Sequence, residues 1–79
     1  MDLPYINAEI KKRLSQAIRT SGMTTREIAR KTGVSPEMIT QYCTTDKLPK
    51  LDTFVLLCRA VDVTPDEILC FPLPEKKQP

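Results

Sequence analysis

Apolar side chains return at intervals of three and four residues along most of this chain, in short stretches separated by polar turns. Ile10, Leu14, Ala17 and Ile18 make the first such stripe. Its spacing predicts a helix that Asn7 caps, running through Arg19 and ended by Gly22. Three further starts share one design: Met23-Thr24-x-x-Glu27-Ile28, Val34-Ser35-Pro36-x-x-Ile39 and Val63-Thr64-Pro65-x-Glu67-Ile68. Each sets an apolar residue before a hydroxyl cap and an aliphatic four residues after it, which is the hydrophobic staple around an N-cap. The first and third add the Glu of a capping box. Pro36 and Pro65 fall at the first helical position, where the missing N–H costs nothing.

Between the second and third of these starts, Thr44 to Lys50 reads as a polar loop containing Pro49. A fourth helix is expected from about Leu51, with Phe54, Leu57, Cys58 and Val61 on one buried face. The fifth runs from Pro65 to about Cys70. The pattern therefore predicts an all-α, compact five-helix domain over residues 7–70. A short arm (1–6) precedes it, and a Pro-rich tail (71–79) follows. In that tail Phe71-Pro72-Leu73-Pro74 is expected to be extended and Glu75 to Pro79 disordered.

Composition narrows the class. The 79 residues are 41% apolar and lack Trp, enough for one small core and too little for a large pocket. No apolar run approaches the ~20 residues of a membrane span, and the start lacks a signal-peptide pattern, so a cytoplasmic protein is expected. Cys43, Cys58 and Cys70 are widely spaced with no CxxC and no His, so no metal site is expected and the thiols read as reduced. Without His or a glycine-rich phosphate loop the usual catalytic arrangements are missing, and Asp66-Glu67 reads as helix-cap chemistry. Neither an enzyme nor a cofactor is expected.

The stretch from Thr25 to Thr44 carries a sharper signal, the spacing of a helix-turn-helix. Ala29 is small where two helices must cross closely, Gly33 tolerates positive φ at the turn, and Ile39 is a buried aliphatic. Ile28, Val34 and Tyr42 complete the positions that pin both helices to a third. Such a unit most often places its second helix in the DNA major groove. The net charge of +2 adds little by itself, but seven basic residues against three acidic lie in residues 1–31, mainly on the first two predicted helices.

On Met23-Thr24, Ile28-Ala29, Gly33-Val34-Ser35, Ile39, Pro49 and Ala60 to Ile68, the chain from about Ile10 to Leu69 resembles the phage-repressor, Cro-like helix-turn-helix family. That resemblance implies a lambda-repressor-like fold and sequence-specific binding of double-stranded DNA. The chain departs from the family in four places. Thr25 stands where Gln is common, Cys43 and Thr45 where Glu and then Gly are usual, and Lys50 where Ser or Thr opens the fourth helix. Thr45 is therefore expected either to adopt a strained turn or to give the loop another shape.

With Ile39 pointing inward, Ser35, Tyr42 and Cys43 fall within about 60° of it by helix geometry. Glu37, Thr40, Gln41 and Thr44 then cluster on the opposite side. In the resembling family this face enters the major groove. Gln41 suits adenine N6 and N7, Glu37 cytosine N4, and Thr40 and Thr44 bases, phosphates or a thymine methyl. Glu37 has a second reading, as partner of the helix dipole in the first turn. Phosphates would meet the start of the second helix at Thr24, Thr25 and Arg26, and also Lys47 and Lys50. Ser35 and Pro36 at the helix start and Thr45 after its end complete the candidate DNA-contacting set.

The expected function is a transcriptional regulator, a repressor that binds an inverted repeat as a homodimer. The fifth helix and the Phe71-Pro72-Leu73-Pro74 tail are the expected interface. A competing reading is an antitoxin-like module whose main partner is a toxin or another regulator and whose DNA binding is secondary. Thr25, Pro36, Glu37 and the modest net charge lean toward that alternative.

Overall fold

The computed structural model describes residues 3–72, and within them the chain forms five helices and no strand. These are α1 (Leu3–Thr20), α2 (Thr25–Thr32), α3 (Pro36–Thr44), α4 (Leu51–Ala60) and α5 (Pro65–Leu69). The all-α architecture read from the apolar spacing is the one adopted. Helix α1 packs on α3 and α5, α2 packs on α3 and α4, and α4 packs on α5.

The three shared helix starts form as the staple pattern requires. Thr24 accepts a hydrogen bond from the Glu27 N–H while the Glu27 carboxylate accepts from the Thr24 N–H, and Thr64 and Glu67 repeat the arrangement. Ser35 accepts from the Met38 N–H. Met23, Val34 and Val63, the residues before the caps, are half-buried against the core, where Ile28, Ile39 and Ile68 are buried. Leu14, Ile18, Phe54, Leu57 and Cys58 complete its centre.

Two expectations need correction, and one left open between alternatives is decided. The first helix begins at Leu3, so residues 3–6 are not an arm and Asn7 lies exposed inside the helix instead of capping it. The reason is legible in hindsight: Ile6 extends the four-residue spacing of Ile10, Leu14 and Ile18 backwards, and proline is tolerated in a first turn, where Pro4 stands. At Thr45 the loop takes another shape, the second of the two expected outcomes, without a left-handed or strained turn. At φ −119° and ψ −178° it is extended, and its N–H closes the helix on the Gln41 carbonyl. Phe71 is not an exposed apolar anchor, because it is half-buried with the Arg13 guanidinium 5.1 Å from its ring centroid. Leu73 to Pro79, for which an extended and then disordered tail is expected, lie outside the described residues.

Among the described residues, the non-glycine residue with positive φ is Asp62, at 62°. It follows α4 in a Schellman arrangement: the Asp62 N–H reaches the Arg59 carbonyl at 3.3 Å and the Val63 N–H reaches the Cys58 carbonyl at 3.0 Å. A short polar side chain bears this conformation better than most, so α4 can turn sharply into α5 without glycine.

Cys58 is 1% exposed. Burial, with a smaller contribution from the Glu67 carboxylate, pushes its thiol above the ordinary range. The unfolded chain therefore loses this proton at a lower pH than the folded one. The resulting stabilisation is complete below the unfolded value, about pH 8.5, and declines as pH rises from there through the folded value. At pH 8 an aromatic disulfide reagent is expected to label exposed Cys70 first and half-buried Cys43 more slowly. Cys58 should be labelled only when urea unfolds the chain. Native labelling of all three thiols at one rate would contradict this burial.

Candidate nucleic-acid interface

The turn between α2 and α3 is built from Thr32 to Ser35. Gly33 takes φ 78° and ψ 5°, and its N–H donates to the Ala29 carbonyl at 2.8 Å. Thr32 stitches both sides: its hydroxyl donates to the Ile28 carbonyl at 2.9 Å and accepts from the Val34 N–H at 3.1 Å. Ala29, 9% exposed, is a small buried residue one turn before Gly33. Ser35 then opens α3 with Pro36 at its first position.

Helix α3 has a buried and an exposed side. Ile39 and Tyr42 are 0% and 5% exposed, and Met38 and Cys43 are half-buried. Glu37, Thr40, Gln41 and Thr44 are all exposed, as the helical projection expects. Ser35 departs from that projection. It is exposed rather than inward, because as cap residue it lies outside the helical turn, and its oxygen is occupied by the Met38 N–H.

Internal hydrogen bonds narrow what these hydroxyls can offer. Thr44 donates to the Thr40 carbonyl at 2.9 Å, and Thr45 donates to the Gln41 carbonyl at 2.7 Å while accepting from the Lys47 N–H at 3.2 Å. A threonine hydroxyl has one proton, so Thr44 keeps acceptor lone pairs and a methyl group on the exposed face. The Gln41 amide makes no hydrogen bond within the described residues and is free to offer both donor and acceptor.

Two further groups flank this helix. At the start of α2, Thr24 is exposed, Thr25 half-buried and Arg26 exposed. The first bond along that helix runs from Ile28 N–H to Thr24 carbonyl, so the N–H groups of Thr25 and Arg26 precede it. After α3, Lys47 and Lys50 line an open groove together with Ser35, Met38 and Thr53. Lys50 occupies the cap position of α4 but makes no capping bond, as a side chain without an acceptor must. Thr45 contributes to the loop shape, and Pro36 contributes backbone geometry to the helix start.

The basic residues of α1 are largely committed within the fold. Lys11 Nζ donates to the Tyr42 carbonyl at 3.0 Å and the Arg19 guanidinium to the Cys43 carbonyl at 3.2 Å. Arg13 pairs with Glu9 at 3.1 Å. Sequence reasoning assigned no role to Lys11 or Arg19. No pattern within either helix signals these bonds, which join α1 to α3 across 31 and 24 positions of sequence.

A family profile described as helix-turn-helix, of the Cro/C1 type, matches residues 14–68. The chain belongs to this helix-turn-helix family, and with it to the DNA-binding regulators of the Cro/C1 type. No curated relative and no solved structure matches the chain. No helix among the described residues is long and apolar enough to cross a membrane.

Because Gly33 holds positive φ with open space where a Cβ would stand, Gly33→Ala tests the backbone conformation without a packing clash. The substitution is expected to destabilise the fold by roughly 1 kcal/mol. In a domain of this size that should lower the melting temperature by about 4–8 °C. Thermal unfolding followed by circular dichroism reads the shift, and an unchanged or raised midpoint would contradict the left-handed turn.

Proposed function

We propose that this protein is a repressor that lays α3 in the major groove of double-stranded DNA and binds an inverted repeat as a homodimer. The observation that carries the reading is the division of α3. Ile39 and Tyr42 are locked in the core, while Glu37, Thr40, Gln41 and Thr44 face outward on the second helix of a helix-turn-helix. Gln41 can pair with adenine through both amide atoms, Thr44 can receive a donor or pack a thymine methyl, and Glu37 can accept from cytosine N4. Thr24, Thr25 and Arg26 on one side, and Ser35, Lys47 and Lys50 on the other, would hold the phosphates and set register.

One such helix touches only a few base pairs, so useful discrimination calls for two copies, with half-site centres roughly 34 Å apart. Apart from Leu3 of α1, 63% exposed, the large apolar residues left exposed among the described residues lie on α4 and α5 and suit a self-complementary contact. Leu51, Val55 and Leu56 of α4 are 77%, 46% and 44% exposed, and Leu69 of α5 is 42% exposed. This adds α4 to the fifth helix and the tail as the proposed interface, with α5 contributing Leu69. The same surface could serve a toxin or other regulator in the antitoxin-like reading, so mass in solution separates the two.

Selection from a random-sequence duplex pool tests the DNA reading. Enrichment of an inverted repeat with half-sites one turn apart supports it, and no retention of DNA overturns it in favour of a protein partner. On the selected site, Gln41→Ala is expected to change which sequences bind. Lys47→Ala should weaken all sequences alike and flatten the salt slope by about one unit. Equal losses on every sequence from Gln41→Ala would remove it as a base reader.

For the assembly, sedimentation equilibrium should give a dimer mass for the native chain. A folded monomer is expected for the variant carrying Leu51→Glu and Val55→Glu. A native monomer both free and on DNA would overturn the homodimer.

A further inference from the structure

The C-terminal end of the DNA-reading helix is held from outside itself. In any α-helix the last four carbonyls lack intrahelical partners, and they carry the negative end of the helix dipole. Helix α3 supplies no basic residue in its own last turn. The Gln41 carbonyl is met locally by the Thr45 N–H and hydroxyl. The next two are met by cations of α1: Lys11 at the Tyr42 carbonyl, 3.0 Å, and Arg19 at the Cys43 carbonyl, 3.2 Å.

Lys11 and Arg19 stand eight residues apart, which is about 12 Å along α1. Their targets are adjacent residues. Two long side chains thus converge from either side on one point, the end of α3. The Lys11 bond is the more sheltered, since that residue is half-buried, whereas Arg19 is exposed.

We propose that Lys11 and Arg19 are positioning residues for DNA reading: they act as a cationic clamp that fixes the C-terminal half of α3 against α1. This rests on the reading of α3 as the DNA-contacting helix. Ile39, Tyr42 and half-buried Cys43 set which face of α3 turns inward, but this apolar packing leaves the last carbonyls of a nine-residue helix without partners. Thr44 and Gln41, the outward residues nearest that end, are the ones whose placement on a base edge depends on it. The carbonyls are neutral, so the cations keep their charge while a donor of each is held at the end of α3. Lys11 and Arg19 thereby contribute to sequence discrimination without themselves gripping phosphate.

The test uses Lys11→Met and Arg19→Met, which keep the aliphatic stems, with Lys11→Arg and Arg19→Lys as variants that restore a cationic donor. Circular dichroism establishes that each is folded, and exposed Arg19 can be altered with little risk to folding. Amide hydrogen exchange without DNA should show the N–H groups of Tyr42, Cys43 and Thr44 losing protection relative to those of α2. On a duplex obtained by selection, specific affinity should fall on the order of tenfold for Lys11→Met and less for Arg19→Met, the scale of one charge-assisted hydrogen bond. Binding to unrelated DNA and the salt slope should stay unchanged, and the donor-restoring variants should recover affinity.

A loss equal on all sequences, with the salt slope reduced by about 0.9 per residue, would make these residues phosphate contacts and overturn the clamp. Unchanged exchange in α3 would overturn it as well. If exchange responds as expected but the native chain shows no preference among DNA sequences, the clamp on α3 is upheld and the DNA-reading function fails.

Discussion

The left-handed backbone at Gly33 and the small side chain of Ala29 together govern where α3 can lie. Gly33 turns the chain at φ 78° directly after α2, while its N–H reaches back to Ala29. A larger residue at buried position 29 would have to displace core neighbours beside the turn. With another residue at position 33 the turn would carry roughly 1–2 kcal/mol of strain. The staples on either side depend on that turn: Val34 and Ile39 meet the core only because the chain re-enters at this angle.

A helix of nine residues has almost no stability alone, so α3 exists because its inward side is buried. Ile39 and Tyr42 each contribute about 1.5–3 kcal/mol by leaving water, which is large beside the few tenths available from surface pairs. That imbalance separates the duties of the two faces. The inward residues answer for stability, so Thr40, Gln41 and Thr44 can be chosen for what they present outward. The polar ends of α3 need their own provision: Ser35 and Pro36 at one end, Thr45, Lys11 and Arg19 at the other.

Sequence alone exposed most of this wherever the determining residues are neighbours in the chain. Thr24 with Glu27, and Thr64 with Glu67, declare their capping boxes within four residues, and the outward set on α3 follows from one buried reference, Ile39. The failures share the opposite property. A cap at Asn7 would start α1 at Ala8, five residues after the helix begins at Leu3, although Ile6 continues the stripe. Ser35 was projected as though it were inside the helix. The attachment of Lys11 and Arg19 to α3 links residues 31 and 24 positions apart, and no local pattern announces such a bond.

Charge then bears on what kind of binder this fold can be. The chain carries only +2, and three of the cations on α1 are engaged by Tyr42, Cys43 and Glu9. Non-specific affinity for DNA comes almost wholly from neutralised phosphates, so this chain has less of it than a strongly basic domain would. On the function proposed above, Glu37 sharpens the contrast. At the first turn of α3 its carboxylate gains about 0.3–1 kcal/mol from the helix dipole whether or not DNA is present. Near phosphates it is repelled, and only a donor such as cytosine N4 offsets that repulsion. A carboxylate on the reading face therefore penalises most sequences and spares a few. Weak general attraction combined with that penalty favours discrimination over affinity, and a second copy of the domain is then what restores binding strength at the correct site.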